Sequence, residues 1–257
     1  MIHSTAVIDE SAQVHETCEI GPYAVIGADV TIGEGTTVGP HAVITGPTTI
    51  GAQCKIFQFT SIGEDPQDLK FDGQDSRLEI GDRNKIREFV TINRGTSGGG
   101  GVTRLGHDNL LMAYVHIAHD CIIGDNTIFA NSASLAGHVQ VGDYAILGGF
   151  SLVHQFSRIG AHSFAGMGSV INKDVPPYLL VTGHYAEAKG INKQGLKRRG
   201  FSDEEISALH KAYVKLVRRR GKKEAEDYAE LDSTVERYAS VALFIDFLQN
   251  GTRGQVC

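Results

Sequence analysis

Four histidines and a carboxylate recur through the middle of this 257-residue chain: His116, His119 and Asp120, then His138, then His154. Imidazole is the side chain whose ordinary pKa, about 6.5, lies nearest working pH. A cluster of imidazoles supports two chemistries. Neutral rings bind zinc, and a single positioned ring acts as a general base. A second set of candidates is cationic. Lys189, Lys193, Lys197, Arg198, Arg199, Lys211, Lys215, Arg218, Arg219, Arg220, Lys222 and Lys223 hold about half of the 24 Lys and Arg. Such a run is either a solvated helix face or a site for phosphates or an acidic partner.

The element that must position the histidines is a six-residue repeat. Stepping by six from Ile8 meets Val14, Ile20, Ile26, Ile32, Val38, Ile44, Ile50, Ile56 and Ile62. The stepping resumes at Ile80, Ile86 and Ile92, shifts phase by one residue, and continues from Leu105 to Ile171. Gly often follows the aliphatic residue, as at Gly21, Gly27 and Gly33, and its freedom suits a backbone bend at a corner. Two places before the aliphatic the residue is small, a slot that Cys18, Cys54 and Cys121 share. Those thiols therefore read as packing residues.

A six-residue step has no helical period and suits a short strand followed by a turn. Stacked coils of such units bury a continuous core, so the spacing predicts a parallel β-helix over residues 1–184. Hexapeptide-repeat proteins, which the ladder resembles, coil left-handed with three hexads per turn. Stacking then brings His119, His138 and His154 onto neighbouring coils. Two loops, about 64–77 and 94–102, interrupt the ladder, and loops thrown from a rigid scaffold are common places for binding groups. Beyond 185 the pattern turns helical. Ser202 and Glu205 form a capping-box signature, and Ile206, Leu209, His210, Tyr213, Leu216 and Val217 follow at helical spacing. Residues 185–257 are thus expected to form a C-terminal α-helical domain that covers the end of the coil.

Composition narrows the class. The net charge of -6 argues against a general nucleic-acid binder. The four cysteines form no CxxC pair, no basic-apolar leader begins the chain, and no apolar run nears the ~20 residues of a membrane span. A soluble, reducing, cytoplasmic setting is the expectation.

The ordered motifs Gly81–Glu88 (GDRNKIRE), Asp108–Ala113 (DNLLMA), His116–Asp120 (HIAHD), Leu135–His138 (LAGH), Val153–Phe156 (VHQF), Gly195–Phe201 (GLKRRGF) and Thr252-Arg253-Gly254 run nearly end to end. Together they resemble the acyl-ACP–UDP-N-acetylglucosamine O-acyltransferases of lipid A biosynthesis. The resemblance implies a homotrimer with active sites between subunits and no resident cofactor, phosphopantetheine arriving on the acyl carrier protein. It implies transfer of an (R)-3-hydroxyacyl group to the sugar 3-hydroxyl. By matching motif, His119 is the general base and Gly137 supplies an oxyanion N–H. Asp120 is a candidate to orient His119, although adjacent residues in extended chain point apart. Asp68, Lys70, His116, His138, His154 and Gln155 match substrate contacts. Asn192, Gln194, Arg198 and Arg199 match the uridine and diphosphate region.

Three positions depart from the pattern. Asn93 replaces a frequent His, which keeps a 3-amino sugar open as acceptor. Gln194 stands where Glu is common. Met167 stands where some members have Gly and is expected to shorten the acyl groove. A zinc enzyme resembling carbonic anhydrase, with His ligands across a trimer interface, and a non-catalytic solenoid are the readings from other classes.

Overall fold

The computed structural model describes residues 1–219, 224–251 and 253–257. Arg220, Lys222 and Lys223 of the basic run, and Thr252, lie outside the described residues. Two-residue strands at each hexad assemble three sheets of nine, eight and ten strands, which are the faces of a prism. Face 1 runs from Val7–Ile8 to Val170–Ile171, and face 2 from Gln13–Val14 to Arg158–Ile159. Face 3 runs from Glu19–Ile20 to Phe164–Ala165 and is continued by Leu179–Gly183 and Ala186–Ile191. Val7 pairs with Val25 and Ile8 with Ile26 in parallel, so one coil takes three hexads.

The second residue of each two-residue strand is the ladder residue. It points inward and stacks on its equivalents; Ile26, Ile44, Ile62, Ile92, Ile117 and Leu135 are all 1% exposed or less. Cys18, Cys54 and Cys121 are buried beside them, as the small slot requires. Burial pushes all three thiols up, Cys121 to about 12, which leaves them inert.

The corners differ from the expectation in one respect. The residue that turns the chain is not the Gly after the aliphatic but the residue two places further on, and it is usually not Gly. Asp120, His138 and Phe156 turn the edge between faces 1 and 2, with φ of 61°, 63° and 64°. Asn126, Tyr144, His162 and Tyr178 turn the edge between faces 2 and 3, and Tyr114, Ser132 and Phe150 the edge between faces 3 and 1. The left-handed backbone costs a non-Gly residue roughly 1–2 kcal/mol. Ring stacking along the edges offsets part of that, as in Tyr23, His41, Phe59, Phe89 and Tyr114, whose neighbouring centroids lie 4.9–5.3 Å apart. The ladder Gly is needed for a different reason. A Cβ on Gly33 would lie 2.7 Å from the Gly51 carbonyl carbon, so coils could not approach.

Both loops leave the same edge, between faces 1 and 2. The first joins strands Ser61–Glu64 and Arg77–Ile80, and the second joins Thr91–Asn93 and Val102–Leu105. Helices α1 (Lys193–Arg198), α2 (Asp203–Tyr213), α3 (Ala225–Ala229), α4 (Asp232–Arg237) and α5 (Ala239–Gln249) follow the hairpin that extends face 3. Ser202 caps α2 by accepting from Glu205 N–H, but Glu205 does not complete the box: its carboxylate accepts from Ser240 and ties α2 to α5. The tail returns to the coil through Asp174, which bridges to Gln255.

Candidate functional site

His116 and Ile117 form one strand of face 1; the isoleucine enters the core and the histidine lies on the outer surface. His116 Nδ1 sits 2.7 Å from the hydroxyl of Thr91, its register partner one coil below. Burial, and then the neighbouring His119, hold the His116 ring below its ordinary pKa.

Asp120 organises the site. Its positive φ swings its side chain back toward the preceding residue, so it does not point away from His119 as extended chain would. The distance from Asp120 Oδ2 to His119 Nδ1 is 2.8 Å. The carboxylate is buried, and the second loop clamps it. Thr96 N–H donates to Oδ1 at 2.8 Å and Thr96 Oγ1–H to Oδ2 at 2.7 Å, while Asp120's own N–H donates to Thr103 Oγ1. The loop lies so close that a Cβ on Gly99 would fall 2.0 Å from the carboxylate carbon. With the carboxylate accepting, the network assigns the His119 proton to Nδ1 and a lone pair to Nε2.

Gly137 abuts the other side of the ring. A Cβ there would lie 2.6 Å from His119 Cε1 and 2.8 Å from Nε2. Its carbonyl accepts from Phe156 N–H, but its own N–H meets no backbone carbonyl among the described residues. His138, one coil above Asp120, stacks on Phe156 at 4.4 Å and meets His119 edge-on at 5.1 Å. Burial lowers the His138 pKa, with Asp120 opposing. His119, Asp120 and His138 have donor atoms within 4.8 Å of one another, the spacing a metal would need. The Asp120 carboxylate, however, is already engaged by Thr96 and by His119, so the donor set suits a hydrogen-bonded pair better than a metal cage.

Above His138, His154 Nδ1 lies 3.1 Å from the Gln155 carbonyl and 3.2 Å from Arg253 Nη2, which the tail delivers. The first loop brings Asp68 and Lys70 to a cleft of about 380 Å³ whose other walls include Thr96, Ser97, His138 and Phe156. Asp68, Lys70, His116, His119, Asp120, Gly137, His138, His154 and Gln155 therefore gather on face 1 and at the edge it shares with face 2.

The remaining expected residues sit elsewhere on the prism. Asn192 is the N-cap of α1, accepting from Gly195 N–H and donating to the His162 carbonyl. Gln194 and Arg198 are exposed on α1. Arg199 lies over the Tyr144 ring at 5.1 Å, at the edge between faces 2 and 3. Met167 is 79% exposed at the edge between faces 3 and 1. Within one chain these groups do not meet His119. Asn93 is buried, and its amide donates to the Asp65 carbonyl at 2.8 Å, so it ties down the first loop. Sequence reasoning missed Thr91, Thr96, Thr103, Phe156 and Arg253. Phe156 and Arg253 carried a signal, as members of the Val153–Phe156 and Thr252-Arg253-Gly254 motifs, whereas the three threonines carried none.

Part of the described basic run is paired within the chain. Lys189 pairs with Glu187, Lys197 with Asp203, and Lys215 with Asp227 and Glu230. Among the described residues, no helix is long and apolar enough to cross a membrane.

Comparison with known proteins meets this geometry. Residues 174–256 match the family described as UDP N-acetylglucosamine O-acyltransferase, domain 2, and residues 11–46 and 103–137 match the bacterial transferase hexapeptide repeat. The acyl-[acyl-carrier-protein]–UDP-N-acetylglucosamine O-acyltransferase of Thiobacillus denitrificans is 58% identical over 98% of both chains. That of Pseudomonas aeruginosa is 55% identical over 99% of this chain and 98% of its own. The crystal structure of UDP-N-acetylglucosamine O-acyltransferase from Moraxella catarrhalis superposes with a TM-score of 0.96 at 46% identity, covering 100% of this chain and 99% of that one. The repeats and these matches support a left-handed β-helix with C-terminal helices. The chain belongs to the acyl-[acyl-carrier-protein]–UDP-N-acetylglucosamine O-acyltransferase family.

Proposed function

We propose that this protein transfers an (R)-3-hydroxyacyl group from acyl carrier protein to the 3-hydroxyl of UDP-N-acetylglucosamine, the first step of lipid A biosynthesis, in the cytoplasm. The observation that carries the mechanism is the clamped pair His119–Asp120 beside Gly137. A sugar hydroxyl is a poor nucleophile until a positioned base takes its proton. His119 Nε2 removes the proton as the sugar oxygen attacks the thioester carbonyl. Asp120 holds Nδ1–H and stabilises the imidazolium that forms. The Gly137 N–H donates to the oxyanion. When the intermediate collapses, the carbon–sulfur bond breaks and the imidazolium returns its proton to the departing phosphopantetheine thiolate. No resident metal or cofactor enters these steps.

The placement of the other groups favours a homotrimer. Asn192, Gln194, Arg198 and Arg199 lie on a different edge from His119, so one edge of each chain must face another chain for both sets to reach one substrate. The expected helical domain from 185 begins later, because Ala186–Ile191 is a strand of face 3; on this reading the segment from Asn192 onward supplies the uridine and diphosphate contacts, where guanidinium geometry suits phosphate oxygens. Asp68, Lys70, His116, His138, His154 and Gln155 hold the sugar and the acyl donor. Lys211, Lys215, Arg218 and Arg219, grouped on one face near the end of α2, steer an acidic carrier protein.

Met167 projects from its edge into the space a facing chain would bound, and there it shortens the acyl groove. Each methylene denied room forfeits ~0.8 kcal/mol, so we expect a donor of about ten carbons to be preferred over one of about fourteen. The test is to incubate the protein with UDP-N-acetylglucosamine and carrier proteins bearing several hydroxyacyl lengths, and to weigh the product. The expected product is the 3-O-acyl sugar nucleotide, and Met167→Gly should shift preference to the longer donor. Absence of acyl transfer would overturn the function, and unchanged selectivity in Met167→Gly would remove the length assignment alone.

A further inference from the structure

The sequence motifs left His162 without a role, yet the fold builds an enclosure around it. It turns the edge between faces 2 and 3 with φ 58°. Tyr144 stacks on one side of its ring at 4.7 Å and Tyr178 on the other at 5.5 Å, while Phe201 meets it edge-on at 5.1 Å. The plane of the ring is therefore fixed. Its Nδ1 faces Arg199 Nη1 at 3.5 Å, and its backbone carbonyl accepts from the Asn192 amide at 3.1 Å.

We propose that His162 is the positioning residue for the nucleotide-binding side chains: its imidazole orients Arg199 and its carbonyl orients Asn192. This rests on the reading that Asn192 and Arg199 contact the sugar nucleotide.

The electrostatics agree with the geometry. Burial first, and then the Arg199 charge, press the His162 pKa down to about 4, so the ring is neutral at working pH and its nitrogen accepts from the guanidinium. Arg199 has no carboxylate partner among the described residues, and burial lowers its pKa below the usual arginine value. A half-buried guanidinium held by a ring face and a neutral imidazole keeps its other N–H groups for an anion. A charged partner would consume that capacity; a neutral one orients the group without neutralising it. The stack itself does not require a histidine. Phe150, Phe156, Tyr144 and Tyr178 occupy equivalent corner positions in this chain, so a phenyl ring at 162 preserves the packing and deletes only the acceptor.

The experiment measures the affinity of the full-length protein for UDP-N-acetylglucosamine without acyl donor, together with steady-state kinetics. His162→Phe should weaken binding about 5- to 10-fold and raise the sugar-nucleotide KM alike, with kcat and the carrier-protein KM changed less than about 2-fold. His162→Asn, which tolerates the corner backbone and offers an oxygen near the Nδ1 position, should restore most of the affinity. In an Arg199→Met background, His162→Phe should add nothing. Should His162→Phe fail to fold, His162→Tyr takes its place in every arm. Wild-type affinity in His162→Phe, with Arg199→Met weakened, would overturn the assignment alone. Additive losses in the double variant would also overturn it, since His162 would then act through packing. Wild-type affinity in Arg199→Met would overturn the reading of the nucleotide site on which the assignment rests.

Discussion

Replacing His119 with Ala should lower kcat about 100- to 10,000-fold, the range typical of a lost general base. The affinity for UDP-N-acetylglucosamine should change little. The His119 side chain is 13% exposed and contributes no ladder residue, so the variant should remain folded, with thermal unfolding as the control. The neighbouring histidines are poor substitutes. His138 stacks on Phe156 with its Nε2 3.8 Å from the Asp120 carboxylate, and His116 is bound to Thr91. Among the described residues, neither has a carboxylate at hydrogen-bond distance to hold its tautomer and stabilise a positive ring. Turnover within a few-fold of wild type would remove His119 as the base.

Asp120→Asn should be nearly as damaging, by about 100- to 10,000-fold in kcat, for a tautomeric reason. The carboxylate accepts at both oxygens: Thr96 N–H on Oδ1, and Thr96 Oγ1–H with His119 Nδ1–H on Oδ2. An amide accepts at one position only. If its NH2 group faces His119, the ring must offer Nδ1 as acceptor and carry its proton on Nε2, where the base should act. If its NH2 group faces the Thr96 N–H instead, two donors oppose each other in a buried space. The mismatch should also cost stability, about 1–3 kcal/mol for an unsatisfied buried donor. Kinetics and thermal unfolding separate the two effects. Loss of stability with unchanged kcat would make Asp120 a loop anchor only.

The contrast between these residues shows what sequence makes legible. The ladder from Ile8 to Ile171 was readable because every coil repeats the same burial requirement, and repetition leaves a period. Both loops were readable as breaks in that period. The corners were not. Glycine after the aliphatic looked like the bending residue, whereas the bend falls on Asp120, His138, Phe156 and their equivalents; Asp, Asn and His tolerate positive φ better than most residues, but Phe, Tyr, Gln and Arg corners do not, so no residue type marks the position. That one difference decides the site, because the left-handed turn at Asp120 brings its carboxylate to His119. Thr96 and Thr103 were invisible for another reason: a threonine becomes part of a site only when a loop folds over a carboxylate, and no spacing announces it. Glu205 shows the limit of local motifs, since its capping signature was outcompeted by Ser240 on another helix. Arg199 and Asn192 were readable by resemblance, but their separation from His119 on the prism was not.

The most direct test is the nitrogen NMR spectrum of His119 in the 15N-histidine-labelled protein near neutral pH, assigned by comparison with His119→Ala. The account predicts that the neutral form of the ring carries its proton on Nδ1, shared with Asp120, and leaves Nε2 unprotonated to accept the sugar proton. A neutral ring protonated on Nε2 would contradict it, because that nitrogen could not serve as the base.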